Sequence, residues 1–128
     1  MATKRKQKEQ GSTYIYIGIG ILIIGGLLAL TLTGQRDYDT FAHCLADKGY
    51  IMAGTDWCSH CADQKAMFNG AFQDVIEPEG AYKDCDRNQR WCEEHDVQGY
   101  PTWITPEGNK ITGVQKLPTL ARISGCNL

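Results

Sequence analysis

The chain has 128 residues and a net charge of −2, a length that suggests one domain. The charge is unevenly placed. Lys4, Arg5, Lys6 and Lys8 against Glu9 make the first ten residues basic, whereas from Arg36 onward nine basic residues face fourteen acidic ones. An acidic domain lacks the clustered lysines and arginines that grip phosphates, which excludes nucleic acid as a partner.

Residues 1–13 form a basic tail without apolar periodicity, placed by expectation in the cytoplasm. No charge occurs between Gln10 and Gln35, and Tyr14 to Thr33 is a nearly unbroken apolar run. Twenty helical residues span about 30 Å, the thickness of a bilayer's hydrocarbon core. Residues 14–33 are therefore expected to be a transmembrane helix. Tyr14 and Tyr16 sit at one end as interfacial aromatics do, and the basic tail stays inside by the positive-inside rule. A cleaved signal peptide fits less well, because its apolar region is shorter and Thr31-Leu32-Thr33-Gly34 is a poor cleavage site. The expected location is the cell membrane, single-pass, with the rest of the chain outside.

Residues 34–38 read as a linker and 39–128 as the folded domain. Asp39 is placed to cap a helix running to about Lys48, with Gly49 as its stop. Tyr50 to Gly54 reads as a buried strand, and a helix from Cys58 is expected to reach about Val75, weakened near Asn69-Gly70. A turn follows at Pro78 to Gly80. A short strand (Ala81 to Cys85) and a helix (Asn88 to His95) come next. Val97 to Ile104 is a strand entered through Pro101. Pro106-Glu107-Gly108-Asn109 turns the chain into Lys110 to Val114, and Leu117 to Ser124 is a last amphipathic helix stopped by Gly125. The expected order is α, β, α, β, α, β, β, α.

All six cysteines fall in this domain, heavy usage that points to an oxidising compartment or to metal. Cys58 and Cys61 stand where a strand hands over to a helix. Unpaired N–H groups and the helix dipole favour negative charge there, so Cys58 is the expected nucleophilic thiolate. Cys61, one turn along, is placed to resolve a mixed disulfide. His60 between them can donate a hydrogen bond or, when protonated, positive charge to that thiolate.

The combination of Phe41-Ala42-x-Cys44-Leu45, Gly54-x2-Trp57-Cys58-x-His60-Cys61, Cys85-Asp86, Gly99-Tyr100-Pro101-Thr102-Trp103 and Ser124-Gly125-Cys126 resembles one family. It is the thioredoxin-like domain found fused to, or working beside, homologues of vitamin K epoxide reductase. The resemblance covers about residues 38 to 127. It implies an α/β thioredoxin fold, a central mixed sheet flanked by helices, and an enzyme exchanging protein thiols and disulfides. Its redox centre would be the Cys58–Cys61 disulfide itself, with no added cofactor. By position Pro101 would be a cis-proline facing the dithiol, with Trp57 and Tyr100 contacting substrate. The implied partner is a membrane-embedded vitamin K epoxide reductase homologue that passes electrons to quinone. Two departures stand out: Ser59 replaces a frequent proline, and Met52 occupies the place where cytoplasmic thioredoxins carry a buried acid.

Cys85 and Cys92 form either a structural disulfide or a second relay pair. Cys44 and Cys126 could bridge the first and last helices, stay free, or exchange with a partner. Six cysteines allow 15 connectivities, and spacing alone cannot choose among them. A reductase or isomerase fed by a transmembrane donor would use the same active residues. Two readings outside that class are a zinc module on Cys58, Cys61, Cys85 and Cys92, and a non-catalytic tethered binding domain. The second cysteine pair lacks the tight spacing of zinc knuckles, and no metal is expected.

Overall fold

The computed structural model describes residues 14–26 and 38–128. The chain divides into two units, Met1–Arg36 and Asp37–Leu128. Within the first, residues 14–26 form a helix (α1) whose large side chains, Tyr14 through Ile24, are exposed. Among the described residues no helix is long and apolar enough to cross a membrane. The expected span runs on to Thr33, and its last seven residues, like the basic tail and most of the linker, lie outside the described residues.

The second unit begins with α2 (Asp39–Asp47), followed by β1 (Ile51–Gly54) and α3 (Ser59–Ala66). A π-helical turn (Phe72–Ile76), β2 (Tyr82–Asp84), α4 (Gln89–Glu94), β3 (Thr102–Ile104), β4 (Lys110–Thr112) and α5 (Leu117–Ser124) complete it. The four strands form one sheet in the order β2-β1-β3-β4. β1 runs parallel to β2 and antiparallel to β3, and β3 pairs antiparallel with β4. The sheet is therefore mixed and flanked by helices, as expected.

Several boundaries differ from those read in the sequence. The strand expected from Val97 is confined to Thr102–Ile104, because Val97 to Pro101 form no ladder and the chain joins the sheet only after the proline. Asp39 is the first helical residue of α2 rather than its cap; Tyr38 occupies the cap position and contributes no side-chain hydrogen bond there. α3 ends at Ala66, well short of Val75. Asn69 (φ 51°) and Gly70 (φ 97°) both adopt left-handed backbone, and two such residues in succession cannot continue a right-handed helix. The chain restarts as the wide π turn, which buries Phe72, Val75 and Ile76.

α2 packs through Phe41 and Leu45, spaced four apart on one face. Phe68 is the centre of the core: its ring stacks on Phe41 at 5.9 Å and meets Phe72 edge-on at 5.7 Å. Trp103 of β3 lies 6.1 Å away, tilted against the same ring. Gln64 sits fully buried among these apolar groups. Its Oε1 accepts from the Gln115 N–H (2.6 Å) and the Trp103 indole (3.3 Å), while its Nε2 donates to the Gln115 carbonyl (2.9 Å). The amide thus ties α3 to the segment that leads into α5.

Two disulfides cross-link the domain. Cys44–Cys126 joins α2 to the residues just past α5, over a separation of 82 residues, and Cys85–Cys92 joins the end of β2 to α4 over 7. By loop-closure entropy the long link stabilises by about 4.5 kcal/mol and the short one by about 2.5 kcal/mol. The double replacement Cys44→Ser/Cys126→Ser is accordingly expected to lower unfolding free energy by roughly 4 kcal/mol in urea titration. The pair Cys85→Ser/Cys92→Ser should cost less.

Candidate active site

β1 delivers the chain to the site and stops at Gly54. A Cβ on that residue would lie 2.9 Å from Cys61 Sγ and 3.3 Å from the Tyr82 ring, so only glycine lets the sulfur pack against the strand. Thr55, Asp56 and Trp57 then turn the chain into α3. Cys58 takes the N-cap position in extended backbone (φ −80°, ψ 112°), and its Sγ accepts the Cys61 N–H at 3.1 Å. In an ordinary helix a serine or aspartate oxygen fills that role. Here a sulfur does, and a donor N–H together with the helix start favours negative charge on it.

The two sulfurs are unequal. Both are free thiols, yet Cys58 keeps 9% of its surface exposed and Cys61 1%, so Cys58 is the one a substrate can reach. Burial pushes the Cys61 thiol up to about 12, and its hydrogen bond with Cys58 adds to the rise. The Thr55 backbone and the Lys65 charge pull the other way. Cys61 therefore holds its proton at neutral pH.

Tyr100–Pro101 is a cis peptide bond, directly before β3. The Tyr100 ring meets Trp57 edge-on at 6.1 Å. Trp57 itself is 72% exposed, and its indole donates to Asp86 at 2.8 Å. Arg87 bonds Asp56 at 3.0 Å and Asp84 at 2.8 Å. These contacts pin the 55–57 turn to the loop between β2 and α4, the same loop that Cys85–Cys92 closes. Neither Asp86 as a partner of Trp57 nor Arg87 follows from the sequence, because spacing does not show that two loops about 30 residues apart meet. The one signal present is the Cys85-Asp86 pair itself.

His60 lies on the exposed first turn of α3, with Nδ1 3.8 Å from the Asp63 carboxylate. The hydrogen bond that Cys58 Sγ receives comes from the Cys61 N–H rather than from this ring. Cys85 and Cys92 are bonded to each other, as are Cys44 and Cys126, so none of the four is a thiolate available to a metal. Met52 is fully buried in the core, so an apolar thioether fills the place of the acid.

The thioredoxin family pattern matches residues 35–124. The chain is 33% identical over 85 residues to the thiol-disulfide oxidoreductase LTO1 of Arabidopsis thaliana, covering 62% of this chain and 22% of that protein. It is likewise 33% identical over 91 residues to a thioredoxin domain-containing protein 5 homolog of Drosophila melanogaster, covering 64% of this chain and 22% of that one. The chain thus spans about a fifth of the length of these relatives. Among solved structures, the oxidised thioredoxin of Plasmodium falciparum is 14% identical, with a TM-score of 0.41 over 73% of this chain and 91% of that one.

The Gly54 contact yields a sharp expectation. Gly54→Ala should displace Cys61 Sγ, cost about 1–3 kcal/mol of stability by overpacking, and slow disulfide exchange markedly. Insulin reduction and urea unfolding measure the two effects; an unchanged exchange rate would show that Cys61 does not need this approach.

Proposed function

The chain belongs to the thioredoxin family, and on that premise we propose that it is a thiol-disulfide oxidoreductase, a membrane-tethered oxidant of exported proteins. Its reoxidising partner in this reading is a quinone-linked membrane protein of the vitamin K epoxide reductase type. The observation that carries the exchange chemistry is the Cys61 N–H donated to Cys58 Sγ at the start of α3. A stabilised thiolate stabilises the reduced dithiol, and a stable reduced form makes the disulfide form oxidising.

The cycle starts from the Cys58–Cys61 disulfide. A substrate thiolate attacks Cys58 Sγ, the bond to Cys61 breaks, and Cys61 leaves with the electron pair and takes up a proton. A second substrate thiolate then attacks the substrate sulfur of the mixed disulfide, closes the substrate disulfide, and releases Cys58. The substrate has lost two electrons and the dithiol has gained them. The partner removes them by the same exchange in reverse. Trp57 and the backbone of Tyr100 flank the approach of an extended substrate.

Tethering is supported by the uncharged run from Tyr14 to Thr33 behind a basic tail. Anchoring enzyme and partner in one bilayer raises their effective concentration. The two further disulfides suit an oxidising compartment. The choice of partner rests on the motif resemblance around Cys58, Tyr100 and Cys126.

Redox titration against glutathione tests the direction. The expected potential lies well above the roughly −270 mV of thioredoxin, toward the oxidising end near about −120 mV; a value at or below thioredoxin's contradicts an oxidant. Cys61→Ala should trap mixed disulfides with exported thiol proteins and with the membrane partner, identified by mass spectrometry. Recovery of a reductive donor alone would point to a reductase.

A further inference from the structure

Behind the dithiol, Gly54 and Tyr82 close on Cys61, and Lys65 lies over the Tyr82 ring. Gly54 lets the sulfur approach the strand, and the edge of the Tyr82 ring reaches the same point, 3.3 Å from the Gly54 Cβ position. Tyr82 pairs in register with Met52, so the aromatic residue stands beside the position that holds no acid. Lys65 is four residues after Cys61, on the same face of α3. Its ammonium lies 3.9 Å from the centroid of the Tyr82 ring and 5.3 Å from that of Phe72. It also bonds Glu77 at 2.9 Å, with only 15% of the side chain exposed.

We propose that Lys65 is a positioning residue for the exchange step at Cys61, held by the Tyr82 ring where its charge stabilises the Cys61 thiolate. A cation over an aromatic face is attracted by the ring quadrupole, most when shielded from water. Tyr82 supplies that face as a neutral ring. Burial pushes its hydroxyl up, and Asp84, Asp56, Cys61 and Glu77 push in the same direction. The hydroxyl is buried and meets no hydrogen-bond partner among the described residues, so the ring rather than the hydroxyl holds the cation.

The charged and titratable groups facing this pair come from several elements. From α3 they are Cys58 and Lys65. From β2 they are Tyr82 and Asp84, the latter paired with Arg87. The turn before α3 contributes Asp56, also paired with Arg87. Glu77, after the π turn, neutralises part of the Lys65 charge. Lys65 is thus the cation whose field reaches Cys61, and it favours ionisation of that thiol against the larger opposing effect of burial. An acid near the thiol would accept its proton; this cation instead favours the anion left behind.

The role is exercised in either direction of flow, and so does not depend on the tether or the partner. In the resolving direction Cys61 gives its proton to solvent and its thiolate attacks Cys58 Sγ. The Cys58–Cys61 bond forms, the bond from Cys58 to the other sulfur breaks, and that sulfur departs with the electron pair. In the oxidising direction Cys61 is itself the leaving thiolate.

The test uses the reduced protein and an aromatic disulfide, 5,5′-dithiobis(2-nitrobenzoate), in stopped flow. The first coloured thiolate reports attack by Cys58 and the second reports attack by Cys61. Lys65→Met is expected to slow the second release about three- to tenfold at neutral pH. It should also move that step's pH profile about one unit toward alkaline; the smaller thiolate fraction is partly offset by greater nucleophilicity. Lys65→Arg should restore most of the rate. Tyr82→Leu should slow the second release more than Tyr82→Phe does, and Glu77→Gln, which frees the ammonium, should speed it. A second release unchanged in Lys65→Met, both releases slowed equally, or Tyr82→Phe as slow as Tyr82→Leu would overturn the proposal.

Discussion

A sulfur atom caps a helix in this protein, and the site is arranged around that contact. The Cys61 N–H that reaches Cys58 Sγ is one of the orphan donors every helix start leaves exposed. Satisfying it with a cysteine rather than a serine or aspartate couples local backbone stability to redox state. Reduced Cys58 is the acceptor the helix needs, whereas a sulfur engaged in a disulfide carries less charge for the donor to stabilise. The bond is short-range and local, yet it needs the chain to arrive at a set angle. That angle is supplied by β1, by Gly54 at its end, and by a turn that places Trp57 outside and Cys58 just inside.

The frame around the contact is held by links that are distant in sequence. Cys44–Cys126 closes nearly the whole domain, which matters for a fold this small with a modest core. Cys85–Cys92 has a narrower task. It closes the loop from which Asp86 holds the Trp57 indole and Arg87 holds Asp56. Gln64 has a comparable role inside the domain, where its amide binds a backbone N–H and carbonyl and an indole at once. An apolar residue there would leave the buried Trp103 indole N–H unpaired, at about 1–3 kcal/mol, and the half-buried Gln115 N–H with it.

Much of this architecture is legible in the sequence. The order of elements follows from apolar runs and turn residues, and strand–CxxC–helix already places the dithiol at a helix start. The thioredoxin fold is implied by motifs in combination. Other features depend on distance through space. Cysteine connectivity stays open among many pairings because spacing carries no information on which ends of α2 and α5 meet. Gln64 reads as an ordinary polar helix residue, and only its position beside Trp103 reveals a buried strut. The sequence makes α3 too long because Asn69-Gly70 weakens a helix in general, whereas here both residues go fully left-handed and stop it. Asp39 reads as a cap from its type, but the helix starts one residue sooner and Tyr38 takes the position.

The central claim is that helix start and burial divide the labour between two otherwise similar thiols, one reachable and hydrogen-bonded at the helix start, the other hidden and protonated. Limited alkylation of the fully reduced protein with substoichiometric iodoacetamide at neutral pH, followed by peptide mass spectrometry, tests it directly. The account predicts label on Cys58 with Cys61 left unmodified. Equal labelling of the two, or label concentrated on Cys61, would contradict it.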